Sequence, residues 1–258
     1  MERKHSDEKE IHQLRNRFHD LAEKSFQQGI FTFTGFLGLS EQDVFWQEES
    51  RLSYAGYRLE GGCVAADRVV ARFGNPGELG YEVPFPIVCV HIEPVAQKFA
   101  DALSHRDFLG ALMNLGIERS TIGDIKVGES QAYLFCLDSI AGFICENLRQ
   151  VKHTSVKCSL TENIGEVPRE QPFALGIQVQ SLRIDAVLAK VYNMSREKSL
   201  ELFRAGKVYV DGRLCENNSR QLASGETVNA RGYGKFVLAG ETRETKKGKL
   251  AVDVLVYR

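Results

Sequence analysis

"RIDAVLAKVYNMSREKSLELFRAGKVYVDG", residues 183–212, holds ten charged side chains in thirty residues, yet its apolar residues keep a regular order. Ile184, Val187, Leu188 and Val191 follow the i, i+3, i+4, i+7 rule, which predicts one short amphipathic helix. Asn193 breaks it. Ser195 is placed to cap a second helix, Glu197 lies in the first turn where the helix dipole favours it, and Gly206 ends the helix in a left-handed conformation. Lys207-Val208-Tyr209-Val210 alternates like a strand, and Asp211-Gly212 is the two-residue signal of a tight hairpin. The basic residues fall at particular places on this unit. Arg196 and Lys198 occupy the first turn of the second helix, where unsatisfied backbone N–H groups favour an anion, and Arg204 and Lys207 bracket its far end. Lys207 and Tyr209 share one strand face, which is expected to be free to meet a ligand. Downstream, Gly225–Val228 opens another strand, and ARGYGKF, residues 230–236, offers Arg231, Tyr233 and Lys235 beside two glycines that let backbone approach a ligand. Leu250, Val252, Val254 and Val256 alternate onto a core face.

This basic end sits on an acidic body. Residues 181–258 carry 15 Lys+Arg against 9 Asp+Glu, a net of about +6, whereas residues 1–180 carry 18 against 25, about −7. That asymmetry is the footprint of a polyanion-binding module attached to something that does not itself attract polyanions. The whole chain, 258 residues and 43% hydrophobic, has room for two or three small domains. No apolar run reaches the roughly 20 residues of a membrane span, and MERKHSDEKE lacks a signal-peptide apolar core, so a cytoplasmic protein is expected. The six cysteines are scattered with no CxxC pair, which suggests neither a zinc site nor a disulfide framework.

Residues 7–28 place Ile11, Leu14, Phe18 and Leu21 at helical spacing, and Gly29 ends that helix. Ser40 with Asp43 predicts the capping box of a second helix through Gln47. RLSYAGYRLEGGCVAADRVVARF predicts strands around a Gly61-Gly62 turn, Asn75-Pro76-Gly77 marks a loop, and a domain boundary is placed near residue 80. Residues 86–161 alternate as strand, helix (about 95–116), strand, strand, helix, strand, the split β-α-β-β-α-β order of ferredoxin-like and RNA-recognition domains. The aromatic RNA-recognition signature is missing, so RNA binding through this sheet is only weakly indicated. Within this region, SHRDFLGALMNLGIERSTIGDI presents Arg106 and Arg119. They form either a surface that holds RNA or protein, or the surroundings of a helix capped by Asp107, with both arginines paired to nearby carboxylates. Residues 162–180, with Pro168 and Pro172, are expected to be a linker.

The basic unit resembles the S4 RNA-binding domain on four jointly spaced elements: Arg183-Ile184-Asp185, Ser195-Arg196, the hairpin from Gly206 to Gly212, and the strand from Gly225 to Val228. The resemblance implies RNA-facing positions at Arg183, Ser195, Arg196, Lys198, Arg204, Lys207, Arg231, Tyr233 and Lys235, with Asp185 orienting Arg183 or capping locally. More widely, GGCVAADRVVARF, HRDFLGALMNLGIERSTIGDI and NARGYGKF together resemble the YlmH family of bacterial S4-domain proteins, departing from it at Cys63 and Asp67. That resemblance implies an α+β chain: an N-terminal α/β domain (1–80), a ferredoxin-like middle domain (81–163) and an S4 domain (181–258). It further implies a non-enzymatic partner of the ribosome, bound to large-subunit rRNA and to peptidyl-tRNA in rescue of stalled translation. A protein partner would be met through residues 1–163. No cofactor, metal or catalytic residue is expected. Two other readings are an RNA-modifying enzyme, pseudouridine synthase-like or a methyltransferase, and a cell-division adaptor. The chain offers neither an extended catalytic-aspartate motif nor a glycine-rich cofactor loop for the former, and the latter rests only on the family's gene neighbourhood.

Overall fold

The computed structural model describes residues 2–97, 101–129, 131–163, 167–168, 172–245 and 248–257. Helices and antiparallel sheets are mixed throughout, and the chain divides into two compact units, residues 1–169 and 170–258.

The first unit opens with α1 (Glu2–Gln28), closed by Gly29 at φ 65° as expected. Its Phe18 and Ala22 pack on a three-stranded sheet of order β1-β3-β2, made of β1 (Thr32–Leu37), β2 (Tyr57–Glu60) and β3 (Val69–Phe73). Between them, α2 (Leu39–Leu52) corrects the predicted capping box. The cap is Gly38, whose N–H donates to the Glu41 carboxylate at 2.6 Å, and the helix runs five residues past Gln47. Ser40 and Asp43 lie inside the helix because the chain turns helical directly after β1. The Asn-Pro-Gly loop contains one helical turn, α3 (Pro76–Leu79), capped by the Asn75 side chain accepting from Gly77 N–H at 3.0 Å.

Next come β4 (Ile87–Pro94), α4 (His105–Asn114), β5 (Ile122–Val127), β6 (Ala132–Leu137), α5 (Asp138–Asn147), β7 (Gln150–Val151) and β8 (Thr154–Thr161), in a sheet of order β5-β6-β4-β8-β7. The expected helix at 95–116 is shorter, and its residues 98–100 lie outside the described set. One face of this sheet, with Val90, Ile92, Leu134 and Cys136, is buried under α4 and α5. The other is covered too. Cys89, Tyr133 and Phe135 are at most 4% exposed and join one cluster with Phe36, Val70, Phe33 and Cys63 from the N-terminal region. Gly62, at φ 82°, makes this approach possible: a Cβ there would stand 2.7 Å from Phe135 and 2.8 Å from Ile87. The expected boundary near residue 80 is therefore the passage between two sheets inside one unit.

The second unit is a six-stranded antiparallel sheet of order β11-β10-β12-β13-β14-β9 with two helices on it. Its members are β9 (Phe173–Val179), α6 (Ile184–Val191), α7 (Arg196–Arg204), β10 (Val208–Val210), β11 (Arg213–Leu214), β12 (Thr227–Ala230), β13 (Gly234–Glu244) and β14 (Leu250–Tyr257). β9 corrects the linker reading. Residues 173–179 pair along β14 from Val179–Leu250 to Phe173–Val256, while linker residues 164–166 and 169–171 lie outside the described set. Val252, Val254 and Val256 face the core as their alternation predicts. The hairpin turns on Asp211 (φ 49°) and Gly212 (φ 78°), both left-handed, the pattern a tight two-residue turn requires. Gly212→Val is expected to destabilise this unit by about 1–2 kcal/mol, since a branched Cβ opposes that conformation. Hydrogen exchange of residues 208–214 checks it; unchanged protection would refute it.

Candidate nucleic-acid interface

The corner between α6 and α7 is built from the inside outward. Ile184, Val187, Leu188 and Val191 are at most 3% exposed and anchor α6 in the core. Ser195 caps α7 by accepting the Lys198 N–H at 3.2 Å, and the buried Ser199 hydroxyl donates to the Asp185 carbonyl at 3.0 Å, tying the helices together. At that tie, the fully buried Asp185 carboxylate receives two guanidiniums. Arg183 reaches it through Nε (3.1 Å) and Nη2 (3.0 Å), Arg196 through Nε (3.3 Å) and Nη2 (3.1 Å), and the Ala186 N–H adds a bond at 2.9 Å. Burial alone would raise the Asp185 carboxyl. The hydrogen bonds from Arg183 and Arg196 outweigh it and hold the group below its ordinary range. Asp185 thus orients Arg183, its local bond goes to the Ala186 N–H inside the first turn of α6, whose cap position Arg183 makes no side-chain cap bond, and Arg196, eleven residues on, is its second partner. Arg183 is one-third exposed and Arg196 is 63% exposed, so both present cationic surface from a fixed base.

The other expected positions divide. Ser195, Arg204 and Lys207 are exposed, and the length of α7 puts Arg204 about 12 Å from Arg196, the reach of a short phosphate run. Lys198 lies over the Tyr233 ring at 6.0 Å, which joins the first turn of α7 to the 231–235 segment. Arg231 is exposed and covers Tyr209 at 5.5 Å. Tyr209 is only 4% exposed, so the strand face expected to be free is instead roofed by Arg231. Lys235 is 6% exposed with its ammonium 5.4 Å from the Tyr257 ring, so it is turned inward and offers little surface to a ligand. The sequence reading also passed over Arg220, held by Glu226 at 2.6 and 3.1 Å, because its partner lies in the following strand region.

In the first unit, Asp107 does cap α4, accepting from the Ser104 N–H at 2.8 Å and from its hydroxyl at 2.6 Å. Those bonds, with Lys152 at 3.1 Å, lower its carboxyl to about 2. Arg119 folds back onto the Ile122 and Gly123 carbonyls (2.8 and 3.4 Å), so its hydrogen bonds go to backbone oxygens, while the Asp124 and Glu41 carboxylates act on it through charge. Arg106 is exposed.

A family model described as "Putative RNA-binding domain in YlmH" matches residues 82–164, the β4–β8 layer. Ribosome-associated protein quality control protein P2 of Bacillus subtilis is 35% identical over 230 residues, 88% of this chain and 87% of its own. The chain belongs to the YlmH family. Among solved structures, the cell division protein ylmH of Streptococcus pneumoniae matches 62% of this chain and 95% of its own, with a TM-score of 0.49 at 18% identity.

Of the stretches that resemble YlmH proteins, NARGYGKF belongs to the second unit, while GGCVAADRVVARF and HRDFLGALMNLGIERSTIGDI meet in the first unit around Arg68. Its half-buried guanidinium donates to three carbonyls, Phe36 (2.8 Å), Ile122 (3.0 Å) and Arg119 (3.1 Å). Beside it the buried Asp124 accepts the Asp67 and Arg68 N–H groups at 2.9 and 3.1 Å and pairs with Lys126 at 3.3 Å. Asp67 contributes its backbone there, so the departure from the YlmH pattern at this position leaves the network standing. No local signal marks the partners of Arg68, whose carbonyl acceptors lie 32 to 54 residues from it, or the Asp67 and Arg68 N–H groups that Asp124 accepts from 57 and 56 residues away.

Proposed function

We propose that the chain is a non-enzymatic, cytoplasmic RNA-binding factor that acts on the large ribosomal subunit in rescue or quality control of stalled translation. Its second unit is an S4 domain that holds structured ribosomal RNA, with peptidyl-tRNA as a second ligand, and the β4–β8 layer is a ferredoxin-like domain. The reading is carried by the Asp185 cluster. Two guanidiniums fixed through one edge keep their other N–H groups for phosphate, and charge-assisted contacts of that kind are the strong ones. It is supported by the name of the B. subtilis relative, aligned over most of both chains, and by the family model for the middle layer.

The test is sedimentation of cell lysate with the wild-type chain or an Arg196→Gln, Arg204→Gln variant. Glutamine is preferred at position 196 because a second carboxylate beside buried Asp185 would break the corner and imitate a binding defect. Wild-type chain is expected on free large subunits at moderate salt, with the variant at the top of the gradient. Contacts to about five phosphates give a log–log salt slope of about −3 to −5. Both forms at the top of the gradient would overturn the reading.

A further inference from the structure

The middle layer matches an RNA-binding family model, yet the route by which sheets of this kind usually bind RNA is closed. Such sheets stack bases on aromatic side chains of their open face. Here the aromatics of that face, Tyr133 and Phe135, are 2% and 1% exposed beneath Phe36 and Val70. Any RNA must meet this layer elsewhere.

One place has the chemistry. Where α4 begins and the β7–β8 hairpin turns, a concavity of about 590 Å³ is lined by Arg106, Asn114, Asn147, Arg149, Gln150 and Lys152. All six are exposed. Asp107 is the one carboxylate among the described residues of its wall, and that carboxylate is committed to Ser104 and to Lys152. The remaining field is positive, with side-chain amides between the cations that can both donate and accept. The wall is also rigid. Lys152 sits at φ 52° in the hairpin, whose turn is closed by Gln150 Nε2 donating to the Lys152 carbonyl at 2.8 Å, and Lys152 in turn braces the cap of α4. The hairpin turn and the Lys152–Asp107 brace are preformed, so binding has only the exposed arginine side chains left to order.

We propose that this concavity is a second RNA site, which takes the sugar–phosphate backbone of a structured RNA, with Arg106 and Arg149 on phosphates and Asn114, Asn147 and Gln150 on ribose hydroxyls or base edges. This rests on the reading of the chain as an RNA-binding factor. Lys152 is the brace of the site, so the test leaves it in place.

The test uses the full chain, purified large-subunit ribosomal RNA and filter binding between 50 and 200 mM salt. Arg106→Gln, Arg149→Gln is expected to weaken binding about tenfold and to make the log–log salt slope shallower by about 1.5–2, the loss of two phosphate contacts. Arg106→Lys, Arg149→Lys is expected to restore the slope, and ultraviolet crosslinks are expected at residues 105–114 and 147–153. Unchanged affinity and slope in the glutamine pair would overturn the site, as would a loss that the lysine pair fails to restore. Arg196→Gln, Arg204→Gln in the same titration separates the two claims. If only that variant loses binding, the second site fails and the RNA-binding reading stands; if wild type itself does not bind the RNA, the RNA-binding reading fails; if wild type binds and neither variant loses binding, both assigned faces fail.

Discussion

Asp185→Ala is expected to destabilise the second unit by about 2–3 kcal/mol and to weaken RNA binding at the same time. The carboxylate is fully buried and receives two bonds from each of Arg183 and Arg196. Removing one member of a buried ion pair generally costs about 3–5 kcal/mol because the remaining charge is stranded. Both arginines here are partly exposed and can rehydrate, which brings the cost below that range. What they lose is position. Arg196 was fixed relative to Arg183 across the α6–α7 corner, and without Asp185 each returns to independent rotamers, so binding RNA must order them anew. Asp185→Asn keeps a hydrogen-bond acceptor but not the balancing charge, and its effect should lie between wild type and alanine.

The same carboxylate sets a sign for pH. Its folded pKa is held below the unfolded value, so its contribution is complete above the ordinary carboxylate range near pH 4 and is lost as pH falls through the folded value. The stability gap between wild type and Asp185→Ala should therefore be constant near neutrality and close in acid. Hydrogen exchange of residues 184–204 measures it. The sole tryptophan, Trp46, reports the other unit and serves as the control. A gap that widened in acid, or an alanine variant as stable as wild type, would sink this account of Asp185.

These residues also show what a sequence can and cannot disclose. The second unit was legible because its determinants are local: the apolar spacing of Ile184 to Val191, a serine cap three residues before its N–H partner, and an Asp-Gly pair whose two left-handed residues make the turn. β9 was hidden because its polar surroundings with Pro168 and Pro172 read as linker, whereas its pairing is decided by β14, more than seventy residues on. β1, TFTGFL, lay between two glycines and drew no prediction at all, although its Phe36 helps to close the middle sheet. The inward turn of Lys235 depends on Tyr257 across the β13–β14 pairing, so no alternation rule applied to residues 230–236 alone could assign it. The Arg68 network is long-range in the same sense.

Arg68→Met tests that network, with an expected loss of about 3–5 kcal/mol from the first unit. Methionine fills the stem of the side chain but leaves the Phe36 and Arg119 carbonyls without the guanidinium that served them, and hydrogen bonds to charged groups contribute about 1.5–3 kcal/mol each. The Ile122 carbonyl keeps its bond from Arg119, so not all three losses count in full. Arg68→Lys should recover little, because an ammonium lacks the planar fork that reaches several acceptors. The structural consequence is specific. Arg68 ties β1 to the segment leading into β5, and β1 carries Phe36 onto Cys89, Tyr133 and Phe135. Loosening that tie should open the covered sheet face before the α4–α5 side yields. Cys89 reports it, being 4% exposed with a thiol pushed up to about 12 by burial, whereas Cys136 faces the helices. Thiol labelling located by mass spectrometry should show Cys89 reacting roughly a hundredfold faster in the variant, as an opening free energy lower by about 3 kcal/mol requires, while Cys136 lags behind. If Trp46 fluorescence reported an unchanged unfolding midpoint, or Cys89 and Cys136 gained reactivity together, Arg68 would not be the tie that holds the sheet face closed.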